Sequence, residues 1–525
     1  MSAEASMSSG ADRPEMALDD HYAHRIVLAM ASQTDRVVLH WRDKAITAAE
    51  FGCAVADATA ALRRAGVEAG HMVAILTEPN HPMMLTTRYA AHLLGAAVVY
   101  VRSSNPRTEA ESMPADLQAD VLRVTSARVL VTDADNADRG RLLAGAVPGV
   151  TVLDDLTGLR RRGDPIPACA PWRPDDLALI DFTSGSTGRP KMVRQLFSSR
   201  NLLINLVRAG MRGERQNTAL SVTPISHGGG PLMDATLAEG GTIVLQEGFD
   251  PGSVLRAVAE LRVTHLYMGV PYLYRLLDYP GTAAADLSSL RQLTYGATPA
   301  TPDRIAAAVE IFGDRLVQVY GTQEANLITV LDPLDHQKPE LLDSVGRPLP
   351  WVQIALRDPG SGAEVPRGET GEVWVQSPTV MAGYLGADSG GNVVMRDGWL
   401  RTGDLARWDS NGYLRLVGRV GNVIKSGGLK LYPAAIEQVL LAHPAVHNAV
   451  VYGVRDHDYV EHVHAAVEPR PGARCDTDAL AAHVAATLSH IHVPSRITVW
   501  DQLPLLDSGK PDHAAIRSGE GSLCV

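Results

Sequence analysis

From residue 21 to about residue 420 the chain alternates between two spacings of apolar positions. Phe51, Val55, Ala58 and Leu62 fall on one helical face, and the run stops at Gly66, which predicts a helix over 48–64. Residues 71–76 form a short apolar run expected of a buried strand, and 84–94 return to helical spacing. The alternation continues with a strand over 177–183, a helix over 199–209, a strand over 242–245, a helix over 251–262 and a strand over 265–268. Strands separated by helices favour a parallel sheet covered on both faces. Past Ser344 the pattern changes to short strands, at 353–356, 371–375 and 414–417, with a turn-rich segment at 358–369. A smaller α/β unit begins near Gly421, with helices over 433–442 and 477–489 and strands over 449–452 and 463–467. The expected architecture is therefore α/β. A large N-terminal domain, 21–420, has parallel-rich sheets covered by helices plus a β-rich subdomain, and a small C-terminal α/β domain spans 421–525. Residues 1–20, polar and small, read as a disordered tail.

Composition narrows the partners. The chain has 525 residues, 45% hydrophobic and 20% charged, which is ordinary for a globular protein. The net charge of −11 argues against broad binding to nucleic acid or to an anionic membrane, both of which need a basic footprint. Four cysteines lie far apart with no CxxC pair, so neither a disulfide framework nor a zinc site is indicated, and a reducing, cytoplasmic setting follows. The first twenty residues have no apolar core to serve as a signal. The longest apolar stretch, 90–101, contains His92 and is too short to span a bilayer.

The most informative segment is DFTSGSTGRPK, residues 181–191. A strand runs into a loop of small hydroxyl residues and glycines that a lysine closes. Gly185 and Gly188 let the backbone approach a polyphosphate, Thr183, Ser184, Ser186 and Thr187 add hydroxyl donors, and Lys191 adds a charge. The spacing is not that of a Walker A loop. A flexible turn is the bland reading, and the closing Arg-Pro-Lys argues against it.

This loop resembles the phosphate loop of the adenylate-forming superfamily of acyl-CoA synthetases, carrier-loading adenylation domains and luciferase-like enzymes. Six more segments resemble the family's motifs in order: YGATP at 295–299, QVYGTQE at 318–324, SVGRP at 344–348, WLRTGD at 399–404, GYLRLVGR at 412–419 and LP…SGK at 503–510. The tone of PYLYRLLD at 271–278 resembles the fatty-acyl-CoA and aryl-CoA ligase branch. The resemblance implies roles. Gly296, Ala297 and Thr298 would form the adenine-side loop, Tyr320 would pack on adenine, and Thr322 would touch the α-phosphate. Glu324, with Thr187, would hold the Mg²⁺ that accompanies ATP, a role suited to hard oxygen ligands. Asp404 would accept from the ribose hydroxyls, and Arg419 would hold ribose or phosphate oxygens. Lys510 would reach in from the C-terminal domain to bridge carboxylate and α-phosphate, neutralising charge as one anion attacks another. Gly421 stands at the hinge of a mobile C-terminal domain, where relatives usually carry Asp or Lys. Lys425 and Gly428 resemble the loop facing the pantetheine channel of coenzyme A. Gln323 replaces the usual threonine, Met192 the usual glycine after the loop lysine, and Leu506 a common hydroxyl residue.

His227 begins HGGG, 227–230, which resembles the family segment that gates the acid pocket. HGGG also reads as a hydrolase oxyanion loop, but SGSTG at 184–188 is not a GxSxG nucleophile elbow. His490 and His492 could suggest a metal pair; alternation places both on one strand face, a structural feature. The expected reaction is ATP-dependent activation of a small-molecule acid as its adenylate, with pyrophosphate release, then transfer to coenzyme A. Alternative acceptors are a carrier-protein thiol or an amine, including nitrite activation for diazotisation. A non-catalytic nucleotide- or acid-binding homologue is disfavoured because Lys191, Glu324, Asp404 and Lys510 are all present.

Overall fold

The computed structural model of the protein describes residues 21–103, 112–156, 169–170, 172–183, 191–211, 217–386, 395–426, 429–455, 461–504 and 511–519. The tail 1–20 lies outside the described residues, as do Ser184, Gly185, Ser186, Thr187, Gly188, Gly428 and Lys510.

Two large sheets make up the N-terminal part. In the first, six parallel strands run in the spatial order Leu316–Thr322, Gln292–Gly296, His265–Gly269, Thr218–Ser221, Thr242–Leu245 and Val37–Trp41. Antiparallel strands flank them: Asn326–Leu331 and Arg347–Pro348 at one edge, Lys44–Thr47 at the other. In the second sheet, Leu177–Thr183, Ala97–Tyr100, Met72–Leu76, Ala127–Thr132 and Thr151–Leu153 are parallel. Lys191–Leu196 and Tyr384–Leu385 extend it in antiparallel fashion. Met72–Leu76 and Ala97–Tyr100 are buried at every position, as strands covered on both faces must be. The helix Ala48–Arg64 starts at a capping box between Thr47 and Glu50 and ends where Gly66 turns left-handed.

Three helices between the sheets, Pro82–Leu93, Phe197–Gly210 and Gly230–Ala238, meet around the buried carboxylate of Asp234. It accepts from Arg88 Nη2, from Arg200 Nη2 at 2.6 Å and from the Tyr89 hydroxyl at 2.6 Å. Removing Asp234 would leave Arg88 and Arg200 buried without their counter-charge, so this cluster fixes how the helices sit.

The β-rich subdomain is a five-stranded antiparallel sheet built on Gln353–Arg357, Gly371–Gln376, Trp399–Trp408 and Leu414–Arg419, with Met395–Arg396 at its edge. The smaller C-terminal domain pairs Val446–Arg455 with Glu461–Pro469 antiparallel and adds Arg496–Val499 in parallel, beside helices Pro433–Ala442 and Thr477–Thr487. The chain is thus the expected α/β protein with a large N-terminal and a smaller C-terminal domain. One expectation fails. His490–His492 is a single 3₁₀ turn, not a strand, because Pro494 two residues on ends pairing and Ser489 Oγ hydrogen-bonds His492 Nδ1 at 2.8 Å. No group of three or more metal-ligating side chains forms among the described residues. Nor is any described helix long and apolar enough to cross a membrane.

Candidate active site

Parallel strands bring their carboxyl ends to one edge of a sheet, and open α/β sheets bind ligands there. Across the first sheet that edge carries Thr322 to Glu324 after one strand, Ala297 and Thr298 after the next, and the segment 222–230 with His227 two strands further on. The phosphate loop leaves the corresponding end of Leu177–Thr183 in the second sheet.

At the first sheet's edge the chain turns sharply from Thr322 to Asn326, which pair across the hairpin. Asn326 is left-handed, with φ of +60°. Gly321 is required here, since a Cβ would lie 2.1 Å from Asn326 O. Thr322 Oγ1 accepts from the Ala325 N–H at 3.0 Å, leaving the hydroxyl proton for another acceptor. Gln195 Nε2 donates to Gln323 O at 3.0 Å, and Asn326 Nδ2 donates to Thr379 O at 2.7 Å. The turn is therefore held from both sides. It presents Glu324, whose Oε1 accepts from the Tyr384 hydroxyl at 2.7 Å. The Tyr384 ring in turn lies 5.1 Å from Lys191 Nζ, a cation–π distance. Glu324 and Lys191, distant in sequence, are brought to one aromatic side chain.

A second cluster joins three residues from three strands. Tyr320 donates to Asp404 Oδ2 at 2.8 Å, and Arg419 Nε pairs with Asp404 Oδ1 at 2.8 Å. Asp404 and Arg419 face each other across adjacent strands, and Arg419 also reaches Thr402 O at 3.3 Å. Burial pushes the Asp404 carboxyl above its usual range, opposed by Arg419 and by the Tyr320 hydroxyl. Arg419 is half exposed, so its guanidinium is open to a further partner.

The third group surrounds His227, 5% exposed, neither of whose ring nitrogens has a hydrogen-bond partner. Burial pushes its pKa down to about 4, so the imidazole is neutral at physiological pH and offers one donor and one acceptor. The glycines that follow are packing requirements. A Cβ at Gly230 would meet Ile225 O at 2.4 Å, and one at Gly229 would meet Thr223 Oγ1 at 2.8 Å. These close approaches account for the glycine run without an oxyanion hole. In the adenine-side loop, Gly296 has no room for a Cβ (2.4 Å from Val319 O), Ala297 is left-handed at φ +70°, and Thr298 Oγ1 is buried without a partner.

The structure thus gathers Tyr320, Asp404 and Arg419 into one cluster and Glu324 and Lys191 around another. It places Thr183, Thr322, Gly296, Ala297, Thr298 and His227 at strand ends of the two sheets. Lys425 lies in the strand Ile424–Ser426, with its side chain outside the described residues. Sequence reasoning missed Tyr384, for which a lone aromatic between Gly383 and Gly386 gives little signal, and Asn80.

Residues 28–385 match the family model described as AMP-binding enzyme, and residues 435–510 match the model for the AMP-binding enzyme C-terminal domain. The chain belongs to this adenylate-forming family, on its acyl-CoA synthetase branch. It is 37% identical over 479 residues to a feruloyl-CoA synthase of Amycolatopsis, covering 90% of this chain and 94% of that one. It is 32% identical over 519 residues to the medium/long-chain-fatty-acid–CoA ligase FadD8 of Mycobacterium tuberculosis, covering 95% and 90%. Among solved structures, the amide bond synthetase McbA of Marinactinospora thermotolerans superposes with a TM-score of 0.83 at 35% identity, covering 95% of this chain and 99% of that one.

Proposed function

We propose that the protein activates a carboxylic acid with ATP as the acyl-adenylate, releasing pyrophosphate, and passes the acyl group to coenzyme A. The observation that carries this reading is the Tyr320–Asp404–Arg419 cluster one turn from Thr322 and Glu324. It supplies a carboxylate acceptor for two hydroxyls, an exposed guanidinium and a buried aromatic ring within one strand-end patch.

The residues fit MgATP. Asp404 with Arg419 suits ribose, Lys191 and the loop 184–190 suit the phosphates, and Glu324, a carboxylate held by one neutral hydroxyl, suits the metal with Thr187. Magnesium would supply charge neutralisation at the phosphates. The chain's own residues position the nucleotide, and Lys510 would bring the cation that steadies attack of the carboxylate on the α-phosphorus. Lys510 would arrive by a swing of the domain 421–525 about Gly421. A Cβ at Gly421 would meet nothing within 4 Å, so glycine there serves backbone freedom rather than fit. His227 and segment 223–230 are assigned to the acid side, where a neutral, unpartnered imidazole in a buried site suits an uncharged polar group of the substrate.

An amine acceptor is the second reading, favoured by the 35% identity to an amide bond synthetase over nearly the whole chain. The test is pyrophosphate release with ferulate, indole-3-acetate and decanoate, each alone, with coenzyme A and with a primary amine. A thioester product supports the first reading, an amide the second. Pyrophosphate release indifferent to every acid overturns both.

A further inference from the structure

Asn80 stands at the end of Met72–Leu76 in the second sheet, beyond Thr77, Glu78 and Pro79, and takes no part in the clusters above. It is left-handed, with φ of +52°, and only 2% exposed. An asparagine tolerates that conformation because its short amide can bond locally, yet here the amide reaches across to the other sheet. Nδ2 donates to Thr223 O at 3.1 Å and to Gln246 O at 2.6 Å, while Oδ1 accepts from the Ile225 N–H at 2.9 Å. Thr223 and Gln246 follow the adjacent strands Thr218–Ser221 and Thr242–Leu245. One side chain therefore joins the strand ends of both sheets. The carbonyl of the same residue is held as well, with Arg88 Nη1 3.5 Å from Ile225 O. Two residues further on is His227.

We propose that Asn80 is a positioning residue for the acid: it fixes segment 223–230, and through it His227, while leaving the nucleotide side untouched. This rests on the assignment of that segment to the acid. The nucleotide cluster is anchored separately, through Gln195, Thr379 and Tyr384. Nothing Asn80 binds belongs to it.

Asn80→Gly keeps the left-handed backbone without strain and removes all three hydrogen bonds. Asn80→Asp keeps the acceptor and loses both donations. Hydrogen exchange read by mass spectrometry on the full chain compares residues 223–230 with residues 316–331. With two or three hydrogen bonds lost, both variants should exchange at least roughly fivefold faster over 223–230 and unchanged over 316–331. With ferulate or decanoate as the acid, KM for the acid should rise about tenfold and KM for ATP stay within about twofold. Exchange that is unchanged over 223–230, or that rises equally in both segments or throughout the chain, overturns the proposal. So does a rise in both KM values together. The exchange result stands whether or not the wild type turns over any acid; a wild type silent with all three acids overturns the proposed function instead.

Discussion

Tyr320→Phe removes one oxygen and keeps the ring, which is 8% exposed and packed in the core of the β-rich region. The lost group is the hydroxyl that donates to Asp404 Oδ2 at 2.8 Å. A hydrogen bond to a charged group contributes about 1.5–3 kcal/mol net, or roughly one to two decades in an equilibrium constant. Asp404 depends on that bond, because burial already favours its neutral form and only Arg419 and Tyr320 oppose burial. Without the phenol the carboxyl holds its proton to higher pH. The charged acceptor proposed for ribose is then lost over a wider range as pH falls. The expected result is a KM for ATP about 10- to 100-fold above wild type at the acid end of the profile, converging on wild type toward its alkaline end, with KM for the acid unmoved. Pyrophosphate release against ATP concentration from pH 5.5 to 9 measures it. An ATP KM raised equally at every pH, or not raised, refutes the coupling between Tyr320 and the ionisation of Asp404.

Three other outcomes follow from the geometry. Gly321→Ala puts a Cβ 2.1 Å from Asn326 O, forcing a backbone shift of about 1–3 kcal/mol at the turn carrying Glu324; kcat/KM for ATP should fall at least roughly fivefold, and an unaltered value would contradict the turn's role. Tyr384→Phe frees Glu324 but keeps the ring beside Lys191, so the magnesium requirement should shift, whereas Tyr384→Leu should also weaken ATP binding about two- to fivefold; identical variants would contradict the division. Asp181, 5% exposed, is pushed up to about 7 by burial against Arg200 and Arg88, so the folded state holds its proton more tightly than the unfolded chain. That stabilisation is fully present below about pH 4 and is lost as pH rises through 7. Asp181→Asn should thus gain about 3 kcal/mol relative to wild type between pH 5 and pH 8 in urea unfolding, and a pH-independent difference would refute it.

The sequence made the architecture legible where apolar spacing and turn residues agreed. The helix Ala48–Arg64, the strand Leu177–Thr183 and the helix Pro433–Ala442 match their expected bounds. It was silent on the strand Trp399–Trp408, whose Arg401, Thr402 and Asp404 interrupt the apolar pattern because its polar positions serve ion pairs and the Asp404 cluster. The turn at His490–His492 misled because two residues of alternation cannot distinguish a strand from a 3₁₀ turn. Motif resemblance singled out Tyr320, Asp404 and Arg419 but not that they touch. Their contact depends on strand register and on the junction between the first sheet and the β-rich subdomain, which no local pattern encodes. Tyr384 and Asn80 act through long-range hydrogen bonds, spanning 60 and up to 166 positions along the chain, so they carried no local signature.

Adenylation is tested most simply by acid-dependent exchange of labelled pyrophosphate into ATP, without coenzyme A or amine, for wild type and Lys510→Ala. Exchange is expected with at least one of ferulate, indole-3-acetate and decanoate. That exchange should be lost in the variant while ATP binding by calorimetry persists. Exchange indifferent to the acid, or equal exchange in the lysine variant, would contradict it.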